Sequence, residues 1–125
     1  MDSDHLADVS YDYAAIVSAG AVLFAAGACP LDDKGRIVGR GDHRTQAKRA
    51  VRNLLVVLGE HDIGPEHLVK TTIYVVGDQE HLQAVWNVVL AALAPHRPPS
   101  TLLGVSALGY RDQLVEIDGV AALPS

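Results

Sequence analysis

From Leu68 to Val76 the chain alternates, with Val69, Thr71, Ile73 and Val75 interleaved with Lys70, Thr72 and Tyr74. Side chains along a strand point to opposite faces with a period of two, so this segment predicts a strand with one face buried. A different period governs the segment before it. Ala47, Ala50, Val51, Leu54, Leu55 and Leu58 fall three and four apart, with Lys48, Arg49 and Arg52 between them. That is the apolar stripe and wet face of an amphipathic helix. Asp42 supplies its N-cap, and Gly59 or Gly64 its stop. The same spacing returns at Leu82, Val85, Trp86, Val89, Leu90 and Leu93. This second helix takes Asp78 or Gln79 as its cap and is stopped by Pro95 and Pro98-Pro99.

The remaining apolar runs are of strand length. Ala21 to Gly27 is continuous, and the hairpin-like turn Asp32-Asp33-Lys34-Gly35 leads to a brief resumption at Arg36-Ile37-Val38. Tyr11 to Val17 reads as a short first strand; 100–105 and 114–121 read as the last two. Residues 1–8 are polar and expected to be loose. The predicted order is ββαβαββ in a single domain over 1–125, an α+β fold with two helices on one face of a mixed sheet of about five strands. Yet 21–26 and 101–107 are apolar on both faces. The uncovered face needs another partner, so a symmetric homo-oligomer is expected.

Composition narrows the function classes. The chain has 125 residues, 49% of them hydrophobic and only 5% aromatic, so the core must be aliphatic. The net charge of −5, with no run of basic residues, argues against nucleic acid and anionic membrane surfaces as partners. One cysteine, Cys29, excludes an intrachain disulfide framework and fits a reducing compartment. No apolar run approaches the ~18 residues that span a bilayer, and Met-Asp-Ser-Asp-His is no signal peptide. A soluble cytoplasmic protein is expected. The six histidines show no metal-ligand spacing on one element, so neither metal nor cofactor is expected. Gly39-Arg40-Gly41 lacks the lysine and the length of a phosphate loop, and no Ser-His-Asp set has sequence support.

One residue breaks the strand pattern. Glu116 lies between Val115 and Ile117 inside the last strand. A carboxylate there is expensive unless it is paired or used. It reads either as a general base or as an ion pair that fixes the register of a subunit interface.

Four segments carry a resemblance. Val22-Leu23-Phe24-Ala25-Ala26-Gly27-Ala28-Cys29-Pro30-Leu31-Asp32 is similar to V-F-x-S-G-Q-x-P-x-D. Gln46 through Asn53-Leu54 is similar to Q-x-x-x-x-x-x-N-L. Val69-Lys70-Thr71-Thr72-Ile73-Tyr74-Val75 is similar to V-K-x-T-V-Y-V, and Val115-Glu116-Ile117-Asp118 to V-E-I-E. With the order of elements, over about Ser10 to Ala122, they resemble the RidA/YjgF family, the reactive intermediate deaminases. The resemblance implies a chorismate-mutase-like fold, a homotrimer with ligand clefts between subunits, and hydrolytic deamination of a small imine or enamine with release of ammonia.

Tyr13 and Glu116 match the family's site tyrosine and glutamate, and Gly27 matches as a backbone feature. Other positions depart. The family's P-A-R-S motif, whose arginine grips the substrate carboxylate, reads here Pro98-Pro99-Ser100-Thr101, with Ser100 in the arginine position. Ala26 stands for the family's serine and Ala28 for its glutamine. A common asparagine falls at Trp86, or with an offset of one at Asn87. The chain thus resembles an arginine-lacking branch. A guanidinium holds a carboxylate through two charge-assisted hydrogen bonds, and a hydroxyl does not replace that charge. Either the ligand differs, or Arg97 or Arg111, which flank the last strands, reaches the cleft; both also read as solvated surface charges.

Ser100 and Thr101 read as donors to a neutral or phosphate-like group, or as polar residues capping a strand. Tyr13 closes the cleft or is a half-buried strand residue. Trp86 packs on the sheet or lines the cleft mouth, and Cys29 reads as a structural thiol. Two functions follow: an imine deaminase of atypical substrate, or a non-catalytic trimeric protein that binds a small metabolite. Endoribonuclease activity, attached to some members of the family, sits poorly with the acidic charge.

Overall fold

The computed structural model describes residues 1–18 and 20–124. Four strands and two helices follow in the order β1 (Val22–Ala28), α1 (His43–Gly59), β2 (Leu68–Val75), α2 (Gln79–Leu93), β3 (Ser100–Gly104) and β4 (Val115–Ala122), with a single 3-10 turn at Pro65–His67. The sheet runs β1-β4-β2-β3. β2 and β3 are parallel, as the α2 crossover requires, and β4 is antiparallel to both β1 and β2.

The first predicted strand is not formed. Tyr11 to Val17 pairs with no strand. Its backbone bonds elsewhere: Asp12 N donates to the Arg97 carbonyl (2.9 Å), Tyr13 N to the Met1 carbonyl (3.0 Å), and the Met1 amino group to the carbonyl of Ala14. Local hydrophobicity suggested a strand, but a strand exists only through a partner edge, and β1 gives its bonded edge to β4. The sheet therefore has four strands rather than about five. The resumption at Arg36-Ile37-Val38 survives as an isolated bridge between Leu31 and Ile37. Asp32 Oδ1 closes that turn, accepting from Lys34 N and Arg36 N at 2.9 Å each, which holds its carboxyl below the usual range.

Both helices start where a side chain takes up a free backbone N–H. Asp42 Oδ1 accepts from Thr45 N (3.1 Å), and Asp78 Oδ1 from His81 N (3.1 Å), while His81 Nδ1 accepts in return from Asp78 N (3.1 Å). α1 ends at Gly59, with Glu60 as C-cap. The two stripes pack on one face of the sheet. Ala47, Ala50, Val51, Leu54, Leu58, Val85, Val89 and Leu93 are buried against Ile73, Val75, Val115, Ile117 and Ala121. Burying each such side chain contributes roughly 1.5–3 kcal/mol before entropy is counted. Leu55, Leu82 and Trp86 are only partly buried at the margins. Gly119 on β4 makes room for the layer: a Cβ there would come within 2.9 Å of Leu68 and 3.5 Å of Leu54.

The opposite face of the sheet carries no helix. Along β2 and β4 burial alternates, and Tyr74, Glu116 and Asp118 occupy the half-buried positions. On edge strand β1, Val22 is exposed and Phe24 is 78% exposed. The expectation of an uncovered, partly apolar face is met.

α1 carries one local conflict. Its first turn has no acidic residue and places Arg44 at the positive end of the helix dipole. Arg44→Glu is expected to stabilise the fold by about 0.5–1 kcal/mol at low ionic strength, an increase read from urea denaturation that shrinks as salt is added.

Candidate functional site

The centre of the site is made by a bulge in β1. Ala25 pairs with Gly119 and Ala28 with Ile117, so Ala26 and Gly27 together oppose the single residue between them, Asp118. The extra residue bends the strand and brings the Gly27 backbone under the side chain of Glu116. A Cβ at Gly27 would lie 2.2 Å from Glu116 Oε2, so only glycine leaves the carboxylate where it is. The family-like glycine is thus explained by close approach, not by an unusual φ.

Two donors hold the other oxygen. Cys29 Sγ lies 3.3 Å and Gln113 Nε2 3.2 Å from Glu116 Oε1. Gln113 is itself fixed: it is buried, its Nε2 also donates to the Val115 carbonyl (3.1 Å), and its Oε1 accepts from Tyr110 N (3.1 Å). Oε2 accepts no hydrogen bond among the described residues. Glu116 is a carboxylate oriented by one oxygen and open at the other, which is the geometry of a base awaiting a proton donor.

Cys29 pays electrostatically for that arrangement. Burial, then the hydrogen bond to Glu116 and its charge, push the thiol up to about 11. It is a donor here and not a nucleophile, as a structural thiol should be. Alkylation by iodoacetamide at mildly alkaline pH is expected to be about a hundredfold slower in the native protein than in urea. Equal rates would show that the burial of Cys29 and its contact with Glu116 do not persist in solution.

Neighbouring side chains extend the polar patch on the open face. Tyr74, which faces Glu116 across the β2–β4 ladder, donates from its hydroxyl to Asp118 Oδ2 (3.0 Å), a contact that raises the phenol above its ordinary range. On the same face Lys70 Nζ donates to Thr101 Oγ1 (2.6 Å).

The other residues expected at the site gather in a second cluster, where β3 begins. Trp86 Nε1 donates to Ser10 Oγ (3.0 Å), and its ring meets Tyr11 edge to face at 5.9 Å; Tyr11 meets Tyr13 likewise at 5.8 Å. Tyr13 spends its hydroxyl on the Ala7 carbonyl (2.7 Å). Ser100 Oγ donates to the Pro98 carbonyl (2.9 Å) and lies 2.5 Å from Thr71 Oγ1. Tyr11, Trp86, Ser100 and Thr101 border a recess of about 440 Å³. Ser100 pairs with Thr71 and Glu116 with Tyr74, so the clusters stand three rungs and two strands apart within one protomer.

The two candidate cations separate. Arg97 is engaged inside the chain, its Nη2 donating to the carbonyls of Val9 (2.5 Å) and Tyr11 (3.4 Å). It clamps the N-terminal segment onto the start of β3, with Asp2 Oδ1 3.7 Å from the same nitrogen. Arg111 is exposed on the 105–114 loop, close in sequence to Gln113.

Sequence reasoning missed the residues that hold the site together. Gln46 and Asn53 were legible only as parts of a motif. Asn53 Nδ2 donates to the carbonyls of Cys29 (2.8 Å) and Leu31 (3.0 Å), fixing the end of β1. Gln46 ties the 31–41 and 105–114 loops to α1. Gln113 carried no signal at all. The clue for Gln46 was its register: with Ala50 and Leu54 it forms an i, i+4, i+8 row in which a polar residue is buried.

This architecture recurs in known proteins. The family model described as Endoribonuclease L-PSP matches residues 5–123. A RutC family protein of Synechocystis is 37% identical over 117 residues, 90% of this chain and 87% of the relative. The protein DfrA of Myxococcus xanthus is 34% identical over 113 residues, 89% of this chain and 83% of its own. Among solved structures, YyfB of Yersinia pestis, from the conserved Rid protein family, superposes with a TM-score of 0.92 at 25% identity, covering 98% of this chain and 96% of that one. With matching sequence over nearly its whole length and the same two-helix, mixed-sheet fold, the chain belongs to the Endoribonuclease L-PSP family, that of the RutC and RidA/YjgF proteins.

Proposed function

We propose that this protein is a RidA-like hydrolytic deaminase that converts a small reactive imine or enamine to its carbonyl compound and ammonia. The observation that carries the reading is the Glu116 carboxylate, held at Oε1 by Cys29 and Gln113 and open at Oε2 above Gly27. In this reading a water gives its proton to Oε2 as its oxygen bonds to the C=N carbon. The nitrogen takes that proton back from Oε2 and a second from the new hydroxyl, the C–N bond breaks as the C=O bond forms, and ammonia leaves with Glu116 again a carboxylate.

The working unit in this proposal is a homotrimer. Phe24, Val22 and the open sheet face form an apolar, partly polar surface of the kind that subunit contacts cover. A neighbouring protomer is needed to complete the cleft, because the Tyr13–Trp86–Ser100–Thr101 cluster lies apart from Glu116 in one chain. Size-exclusion chromatography with light scattering tests this, and a monomer overturns it. A cytoplasmic workplace belongs to the same proposal and rests on the lone, reduced cysteine.

The substrate in this reading lacks the usual carboxylate grip. Ser100 occupies the arginine position, its hydroxyl is bonded within the chain, and Arg97 is committed to backbone carbonyls. A less acidic or bulkier imine suits such a cleft. The same observation favours a second reading, a non-catalytic protein that binds a small metabolite. Ammonia release from freshly generated imines, with and without a carboxylate, separates the two. Acceleration supports the deaminase; a thermal shift with these compounds but no turnover selects the binder.

A further inference from the structure

On the side of the helix layer facing away from the sheet, α1 and α2 leave a groove of about 700 Å³ between them. Its floor is apolar: Val51, Leu55, Val88, Ala91 and Ala92 line it, and Val56 is 52% exposed at one end. One wall is a column of cations. Arg44, Lys48 and Arg52 are four residues apart, so they make no basic run in the sequence but one charge per turn on the helix, about 6 Å from one to the next. The ion pairs of the described residues are made by Arg36, Arg40, Arg97 and the N-terminus, so among them Arg44, Lys48 and Arg52 make none. The column stands on an otherwise acidic chain of net charge −5.

We propose that this groove docks an amphipathic helix of another protein, one that carries an acidic residue at each turn beside its apolar stripe. The spacing argues for a helix. A small anion has one head group and would satisfy one cation of the column, whereas a helix lying along the groove matches all three. From Arg44 to Val56 the groove is about 18 Å long, three to four turns of a partner, and the small side chains of Ala91 and Ala92 let its apolar face come close. The helices of a second copy of this chain do not fit. α1 contains no Asp or Glu and α2 only Glu80, so neither helix offers the complementary row. The surface lies on the opposite side of the sheet from the face assigned above to the trimer, and the inference does not depend on the deaminase reading.

The test uses a fluorescein-labelled synthetic helical peptide with one Glu per turn beside a Leu stripe, titrated with the full-length protein at low ionic strength. Saturable binding that falls with added salt is expected. In Arg44→Glu/Lys48→Glu/Arg52→Glu, checked for folding by its unfolding curve, affinity should drop at least about tenfold, while the peptide with Lys in place of Glu should gain affinity. Ala91→Gln, which narrows the floor and leaves the cations untouched, should also weaken binding. Absence of binding, equal affinity for the charge-reversed variant, or displacement of the peptide by decanoate or by single-stranded RNA at lower concentration than by unlabelled peptide would each overturn the proposal.

Discussion

Glu116→Gln is expected to lower imine hydrolysis by about 10²–10⁴-fold, the range that a positioned general base contributes. The substitution keeps the side chain's shape and an oxygen to accept from Cys29 and Gln113, whose donors lie 3.3 Å and 3.2 Å from Oε1. What changes is the atom above Gly27, where an amide nitrogen replaces the open carboxylate oxygen and takes no proton from water. Folding should survive, since the two holding contacts remain. Glu116→Ala removes both the base and the acceptor, leaving the buried Gln113 amide one partner short, and should lose stability as well as rate. Initial rates of ammonia release and urea unfolding curves for both variants separate the roles. Full activity in Glu116→Gln would show that Glu116 is an interface or register residue, and the deaminase chemistry would then need another base.

The contrast between Glu116 and Gln113 shows what a sequence discloses. A charge amid Val115 and Ile117 conflicts with its surroundings, and that conflict is visible in a single line of residues. Gln113 sits in a loop, where a polar residue is unremarked; its burial follows from the packing of the 105–114 loop against α1. The helices and β2 were legible because their periods are local and long enough to average out exceptions such as Thr71. Tyr11 to Val17 failed because the same local apolarity says nothing about which edge is available. Arg97 was read as a free cation because its partners, Val9 and Tyr11, are remote in sequence and are backbone carbonyls, which no composition or spacing announces. The bulge at Ala26–Gly27 was signalled only by the glycine.

Gln46→Leu should be the most damaging single change outside the aliphatic core. Gln46 is fully buried on α1. Its Nε2 donates to the carbonyls of Gly39 (3.1 Å) and Asp112 (3.0 Å), and its Oε1 accepts from Leu114 N (2.7 Å). Leucine of similar volume fills the space but leaves the Leu114 N–H and the Asp112 carbonyl unpaired, while the Gly39 carbonyl keeps its bond from Asp42 N. Each orphaned buried group costs roughly 1–3 kcal/mol. The loops can relax toward water, so a total loss of about 2–4 kcal/mol is expected, with a lower urea midpoint at unchanged slope. The damage should also reach the site. Leu114 adjoins Gln113, which holds Glu116, so the 105–114 loop should open while the sheet stays closed. Hydrogen exchange at the Leu114 amide should then rise more than exchange at Ile73 or Ile117, and imine hydrolysis should fall at temperatures where the variant is still folded. A variant with wild-type stability, or one that loses stability with equal exchange everywhere, would show that Gln46 is a packing residue and that the carboxylate is positioned without it.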